Sequence, residues 1–251
     1  MKITKLVILF NYQKIVLGAI VSAILFFLSF QINSANFVLL LRIFGFVILL
    51  NIFASIVASY LLYDKSDLYE FKNLNKFIDW EKTENATLIH ASFDPFSKKL
   101  EEQHKNVNFT VCDIFENRHE QESGIKISKQ TFPPNPKEIK ISPTNLPFDN
   151  ESQDVVLAIT AVHEVLNHRD RVFFFQEAKR ILKNDGVIIV SEQFRDVINF
   201  VFFNIGAFHF LSEKHWKKAI AEAGLEVIAN EKITPFANML VIKKLCQNTI
   251  I

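Results

Sequence analysis

The sequence predicts an α/β domain with a doubly wound, mostly parallel sheet, carried behind a hairpin of two apolar helices. Three observations predict it. Residues 139–193 run in the order strand, turn, strand, helix, turn, strand, a βαβ arrangement that implies a right-handed parallel crossover. Ahead of the domain lie two apolar runs, each about long enough to cross a bilayer as a helix. At 251 residues the chain has room for one such domain and something smaller.

Residues 139–141 form a short β-branched run, and residues 155–160 form a nearly unbroken apolar run, as expected of a strand covered on both faces. Between them LPFDNESQD is a polar turn. From Arg169 to Leu182 the apolar positions Val172, Phe175, Ala178, Ile181 and Leu182 recur at three- and four-residue steps, which gives a helix one buried face. Lys183, Asn184 and Gly186 supply a cationic last turn and a stop, and residues 187–191 make the next buried strand.

These residues resemble the second half of a class I S-adenosylmethionine-dependent methyltransferase. Leu146, Pro147 and Phe148, the later Asp154, and Arg180, Leu182, Lys183 and Gly186 at the helix end stand where that family has matching residues. The resemblance implies a Rossmann-like methyltransferase sheet, S-adenosylmethionine as cofactor and transfer of a methyl group.

Composition narrows the partners. The formal charge is +1 and Lys and Arg form no stripe, which argues against a nucleic-acid partner. Phe is in excess, with 26 residues against six Gly, so the chain is apolar for a soluble enzyme. Cys112 and Cys246 are too few and too separate for a disulfide scaffold, which fits a reducing compartment.

Along the chain, the spans are expected near residues 15–32 and 37–63, with Arg42 and Asn51 as the strongly polar interruptions of the second. A very short uncharged connector makes them an antiparallel hairpin. Lys2, Lys5 and Lys14 precede it and Lys65 and Lys72 follow, while the connector has no Lys or Arg; this places both termini in the cytoplasm and the chain in the inner membrane. A cleaved signal peptide is the competing reading of the first span, and the second span following at once argues against it. Arg42 can snorkel to the connector-side interface or meet a lipid phosphate. Residues 64–84 form a junction, with Leu68, Phe71, Leu74, Phe77 and Ile78 on one side; it either lies on the membrane or packs on the domain of residues 85–251.

The domain opens with a strand at 86–91, a turn at 92–95, a helix at 96–104 and a strand at 107–112 that ends in Asp113. In such a sheet the ligand sits at the carboxyl ends of the strands where their order reverses. Where the family has a Gly-x-Gly-x-Gly turn after the first strand, this chain has His90-Ala91-Ser92-Phe93-Asp94-Pro95. A narrower resemblance accounts for that departure. Two spans, then Tyr63-Asp64-Lys65-Ser66-Asp67-Leu68-Tyr69, then His90-Ala91-Ser92-Phe93-Asp94, is similar to a group of bacterial membrane-anchored methyltransferase-like proteins whose first turn is also poor in glycine. That resemblance extends over residues 161–165, 209–211 and 233–236.

The resemblance implies a cofactor crevice lined by His90, Ala91, Phe93, Asp94, Asp113, Ile114, Ser142, Asn145, Leu146 and Thr160. Asp113 would accept hydrogen bonds from the ribose hydroxyls, and His90 and Asp94 would replace the missing glycine contacts to the methionine moiety. Residues 117–137, with Pro133, Pro134 and Pro136, read as a helical turn and a surface loop that either folds over the mouth or has no role there. Phe-rich residues 194–210 suit an apolar acceptor, a surface that dips into lipid, or plain core packing. Ser212 caps the next helix, and residues 239–243 form the closing antiparallel strand.

His163 and Glu164 follow the fourth strand and could orient the acceptor or take its proton, or be a solvated pair. HEVLNH is one residue off the zinc pattern His-Glu-x-x-His: at five residues apart, about 140° around a helix, His163 and His168 do not share a metal face, and no metal is expected. The partners implied are an apolar small molecule or lipid as substrate, the membrane, and, for a chain that has lost its cofactor, a membrane protein complex. A nicotinamide-dependent reductase is disfavoured because no Gly-x-Gly-x-x-Gly follows the first strand.

Overall fold

A computed structural model describes residues 2–69, 72–115 and 123–245, with backbone alone at Lys2 and at 123–126. Phe71 and Cys246 lie outside the described residues. The chain divides into two compact units: the hairpin through Lys65 with Val201–Phe203, and the α/β unit made of the rest.

In the hairpin unit, α1 (Lys2–Ser29) and α2 (Ala35–Ser59) are long and apolar enough to cross a membrane, and α2 continues into a π-helical turn at Tyr60–Lys65. Small residues bring the two helices together. A Cβ on Gly45 would sit 3.0 Å from the Phe26 ring, and the Ser22 hydroxyl donates to the Gly45 carbonyl at 2.8 Å. At the open end the Asp64 carboxylate accepts the Thr4 N–H at 2.9 Å and the Ile3 N–H at 3.2 Å, so it caps the start of α1. At the connector end the Arg42 guanidinium donates to the Ser29 hydroxyl and lies 5.4 Å over the Phe30 ring. Phe27, Phe30, Phe37, Phe44, Phe46 and Phe53 are exposed, an arrangement water disfavours and a hydrocarbon surround does not.

The α/β unit is built on one seven-stranded sheet in the order β3-β2-β1-β4-β5-β7-β6. Its strands are β1 (Asn85–His90), β2 (Asn108–Asp113), β3 (Ile139–Lys140), β4 (Gln153–Ile159), β5 (Leu182–Gln193), β6 (Leu225–Lys232) and β7 (Ala237–Lys244). The first five pair in parallel and β7 runs antiparallel to both β5 and β6. β1 and β4 are buried along almost their whole length because both faces of the sheet are covered. Among the helices, α3 (Ser97–Gln103), α4 (Ser123–Thr131), α5 (His168–Ile181), α6 (Val197–Phe203) and α7 (Glu213–Glu222), α5 and α7 supply Phe174, Phe175, Ala178, Trp216 and Ile220 to the core. Each such fully buried large side chain contributes about 1.5–3 kcal/mol.

Four readings of the sequence need correction. Helix α5 ends at Ile181, and Leu182 is already extended at ψ 135, so Gly186 is not a helix stop. Residues 183–186 are instead taken up inside β5, between the register pairs Gln153↔Leu182 and Val155↔Val187, where a Cβ on Gly186 would sit 2.8 Å from the Asp154 carbonyl. Glycine is required there by close approach of two strands. Among the described residues the one-sided apolar pattern of the junction is not carried by one continuous helix: Lys72–Lys76 form a 3-10 turn, whose first N–H groups are capped by the Asp67 carboxylate. Its Leu68, Leu74 and Ile78 are buried within the α/β unit. Ser212 sits at the start of α7, but its hydroxyl pairs with His215 Nδ1 at 2.6 Å and not with a backbone N–H. Finally, the third strand is shorter than its β-branched run suggested, a two-residue exposed edge.

Cys112 is buried on β2 with its thiol pushed up to about 12 by burial and by the Glu138 carboxylate. It has no reactive thiolate at neutral pH.

Candidate active site

The strand order reverses between β1 and β4, and in such a sheet the ligand crevice is expected at their carboxyl ends, the switch point. Three connections border it: the turn after β1, the residues after β2 and the turn after β4.

Ser92, in the turn after β1, has φ 57, the left-handed backbone that glycine adopts most easily. The turn therefore keeps a glycine-like conformation with a serine in it. Its N–H donates to Asp113 Oδ1 at 2.8 Å, and the Phe115 N–H donates to the same oxygen at 2.9 Å. Asp113 is buried and stands beside His90 in the β1–β2 register. The His90 ring is buried between Glu138 Oε2 at 3.1 Å and Asp113 Oδ1 at 3.9 Å, and its closeness holds the Glu138 carboxyl below the usual range. His90 thus braces β1 against the stretch before β3.

Asp94 is turned toward α3. Its Oδ1 accepts the Phe96 and Ser97 N–H groups at 3.1 and 2.8 Å, and its other oxygen accepts the Ser97 hydroxyl. A carboxylate held by three donors at a helix start acts as a cap. Phe93 packs edge-on against Tyr69 and Phe132, so the segment after α4 folds onto the turn after β1. Ala91 and Ile114 pack with the core cluster beneath, and the Ile114 N–H donates to the His90 carbonyl at 3.0 Å. Thr160 closes β4 at φ 46, with its hydroxyl 3.0 Å from the Tyr69 hydroxyl.

On the far side of β2, Ser142 bridges to Asn145 and is exposed, its hydroxyl 3.0 Å from that of Thr144. Leu146 is buried and fixed by α5: its N–H donates to Glu177 at 2.9 Å and its carbonyl accepts Arg180 at 2.8 Å. That clamp is the physical content of the Leu-Pro-Phe and Arg spacing.

The turn after β4 carries the strongest charge arrangement. Glu192, buried at the end of β5, accepts the N–H groups of Ala161, Val162 and His163 on Oε1 at 3.0, 3.0 and 3.3 Å. Its Oε2 lies 2.7 Å from His163 Nδ1. His163 Nε2 is 3.4 Å from Glu164 Oε1, and His209 Nε2 is 3.3 Å from the same oxygen. Burial pushes the His163 pKa down, but Glu192 and Glu164 outweigh it and raise the pKa to about 10. Burial also works against ionisation of Glu164, yet hydrogen bonds from His163 and His209 hold its carboxyl far below the usual range. At neutral pH this pair presents a proton donor and a weak base, so it suits holding an electron-rich oxygen better than removing a proton. Neither Glu192 nor His209 stands out as a site residue in the sequence. The acid that ends the apolar strand VIIVSEQ was the one available signal for Glu192; His209 lay only within the narrower resemblance.

A depression of about 620 Å³, lined by Lys76, Trp80 and His104 among others, lies near the residues leading into β1 and β2 and holds none of these groups.

The comparisons agree with this geometry. Residues 93–190 match the family model described as "Methyltransferase domain". The search of curated proteins found no match. A SAM-dependent methyltransferase from Methanosarcina mazei is 14% identical, with a TM-score of 0.50, covering 69% of this chain and 98% of its own. A second from Aquifex aeolicus, also 14% identical, has a TM-score of 0.51 over 73% of this chain and 92% of its own. The mitomycin 7-O-methyltransferase is 12% identical at a TM-score of 0.51, covering 77% of this chain and 56% of its own. Residues 93–190 thus match a methyltransferase domain, and the α/β unit has the Rossmann-like fold of these solved structures.

S-adenosylmethionine is the cofactor this domain implies, and the residues at the crevice fit it. Ser92 and Thr160 hold left-handed backbone at the carboxyl ends of β1 and β4, and Asp113 brings a buried carboxylate to the end of β2.

Proposed function

We propose that this chain is a membrane-anchored S-adenosylmethionine-dependent methyltransferase acting on an apolar, membrane-soluble small molecule such as a lipid, quinone or pigment precursor. One observation carries the reading: a methyltransferase domain and two helices long enough to span a membrane belong to the same chain. The exposure of Val197, Phe200, Ile205 and Phe208 on α6 and the turn after it adds support for an apolar acceptor. The lysines flanking the hairpin support both termini and the domain on the cytoplasmic side.

When bound, the cofactor would supply a methyl group carried on a sulfonium, with the neutral thioether as leaving group. The chain's residues then have mainly to position and exclude water, because in-line transfer depends on proximity and alignment. Asp113 holds the ribose end, and Ser92 and Thr160 shape the backbone walls. His163, its Nδ1 held by Glu192, keeps Nε2 beside Glu164, and the two together orient the acceptor. Asp94 is left to hold α3.

The alternative is a chain that has lost the cofactor and serves as an interaction subunit of a membrane complex. The use of Asp113 Oδ1 by two backbone N–H groups favours it. Calorimetric titration of S-adenosylhomocysteine into the detergent-solubilised full chain separates the two. Saturable micromolar binding, weakened at least tenfold by Asp113→Asn, is expected of the enzyme; absence of heat from folded protein would establish the subunit.

A further inference from the structure

We propose that His163, Glu164 and His209 form a binding site for one divalent transition-metal ion of the zinc type. The spacing in HEVLNH keeps His168 off the metal face of His163, and in the structure His168 opens α5 with its Nε2 2.8 Å from Glu222. The second imidazole comes from far along the chain: His209 ends the 3-10 turn Asn204–His209, and its ring meets that of His163 edge-on at 5.2 Å.

The geometry is that of a ligand set. One ligand atom from each of the three residues lies within 4.8 Å of the other two. Glu164 Oε1 stands 3.4 Å from His163 Nε2 and 3.3 Å from His209 Nε2. A tetrahedral ion with bonds of about 2.1 Å has ligand-to-ligand edges of about 3.4 Å, so two edges are already at length. The third, between the imidazoles, closes by a small shift of His209, whose side chain is 48% exposed. Two imidazole nitrogens and one carboxylate oxygen suit zinc and its first-row neighbours, whereas magnesium and calcium take all-oxygen sets.

An independent feature points the same way. A metal-binding histidine ordinarily has its other nitrogen held by a carboxylate, which fixes the ring and raises its donor strength. Glu192 does this for His163 at 2.7 Å, from a side chain only 2% exposed and anchored by three consecutive backbone N–H groups. His163 Nε2 is thereby aimed at Glu164 and His209, and an ion entering between them displaces the Nε2 proton to solvent. Three protein ligands leave a fourth position, and the partial exposure of Glu164 and His209 leaves it open to an exchangeable oxygen ligand.

The test is calorimetric titration of Zn²⁺ into the metal-free full chain in detergent, purified without a polyhistidine tag. One ion per chain is expected, with affinity reduced more than tenfold in both Glu164→Gln and His209→Ala. His168→Ala serves as the control for nonspecific imidazole binding and is expected to match the parent. Tryptophan fluorescence checks that each variant is folded, and Co²⁺ in place of Zn²⁺ is expected to give the intense visible bands of a four-coordinate site. No saturable binding, or affinity within tenfold of the parent in either ligand variant, overturns the proposal.

Discussion

Oδ1 of Asp113 accepts the Ser92 N–H at 2.8 Å, which ties the carboxyl end of β2 to the turn after β1 across the mouth of the crevice. The Phe115 N–H uses the same oxygen, so one atom holds two loops. Asp113→Ala leaves both donors unsatisfied and is expected to destabilise the α/β unit by about 1–3 kcal/mol. Both tryptophans, Trp80 and Trp216, are buried in this unit, so their fluorescence during thermal unfolding reads it selectively in the full chain. At Ser92 itself, φ 57 makes the outcome depend on Cβ. Ser92→Gly is expected to stay within about 1 kcal/mol of the parent, while β-branched Ser92→Val loses about 1–3 kcal/mol. Equal midpoints for the two variants would contradict the left-handed turn.

Arg180 makes the second link. Its guanidinium donates to the Leu146 carbonyl at 2.8 Å, the Phe148 carbonyl at 2.7 Å and Glu177, whose carboxylate in turn accepts the Leu146 N–H. Those hydrogen bonds, with Arg180 first, hold the Glu177 carboxyl below its usual range. A lysine keeps the charge but cannot span two carbonyls and a carboxylate at once. Arg180→Lys is therefore expected to lower stability by about 1–2 kcal/mol, read as a lower midpoint of tryptophan fluorescence. Preservation of the parent midpoint would mean the fork is not needed.

What the sequence made legible was what burial and periodicity encode. The apolar run 155–160, the three- and four-residue spacing in α5 and the polar turns around them fall on β4, α5 and their loops, because a two-sided buried sheet leaves little choice of register. The hairpin was legible from length and apolarity alone. The candidate site was legible only in part. Asp113 and His163 stand out by position after a strand, whereas Glu192 and His209 lie 29 and 46 residues beyond His163, and no local pattern joins them. Gly186 misled because glycine has two common uses, and only contacts distinguish a close approach from a helix stop.

Gly186 is accordingly a packing position. A Cβ there would lie 2.8 Å from the Asp154 carbonyl and 2.8 Å from a Leu182 methyl. The leucine side chain can move, but the carbonyl belongs to β4 and cannot without disturbing its register. Gly186→Ala is expected to lose about 1–3 kcal/mol, the range of an overpacked core, whereas a helix-stop role at an exposed turn would be far more tolerant. Thermal midpoints of the two proteins decide it, and a variant as stable as the parent would remove the close-approach account.

Asp154 gives the pH dependence of the same corner. Its Oδ2 accepts the Glu84 and Asn85 N–H groups at 3.0 and 2.9 Å, and its Oδ1 lies 2.8 Å from Lys183 Nζ. Burial raises its pKa, but the Lys183 hydrogen bond and the two backbone donors outweigh burial and leave it below the ordinary value. Lys183 is shifted the opposite way, upward, chiefly by its hydrogen bond to Asp154. A carboxyl depressed in the folded state contributes stability above its unfolded pKa of about 3.9 and loses it as pH falls through the folded value. A raised ammonium contributes below its unfolded pKa of about 10.4 and loses it as pH rises through the folded value. The advantage of the parent over Asp154→Asn is therefore expected to be constant from about pH 6 to 8 and to shrink below about pH 4. Thermal midpoints of both proteins across that range measure it. A gap that stayed the same down to pH 2.5 would mean that Asp154 acts by shape alone, with its charge irrelevant to how β1, β4 and β5 are joined.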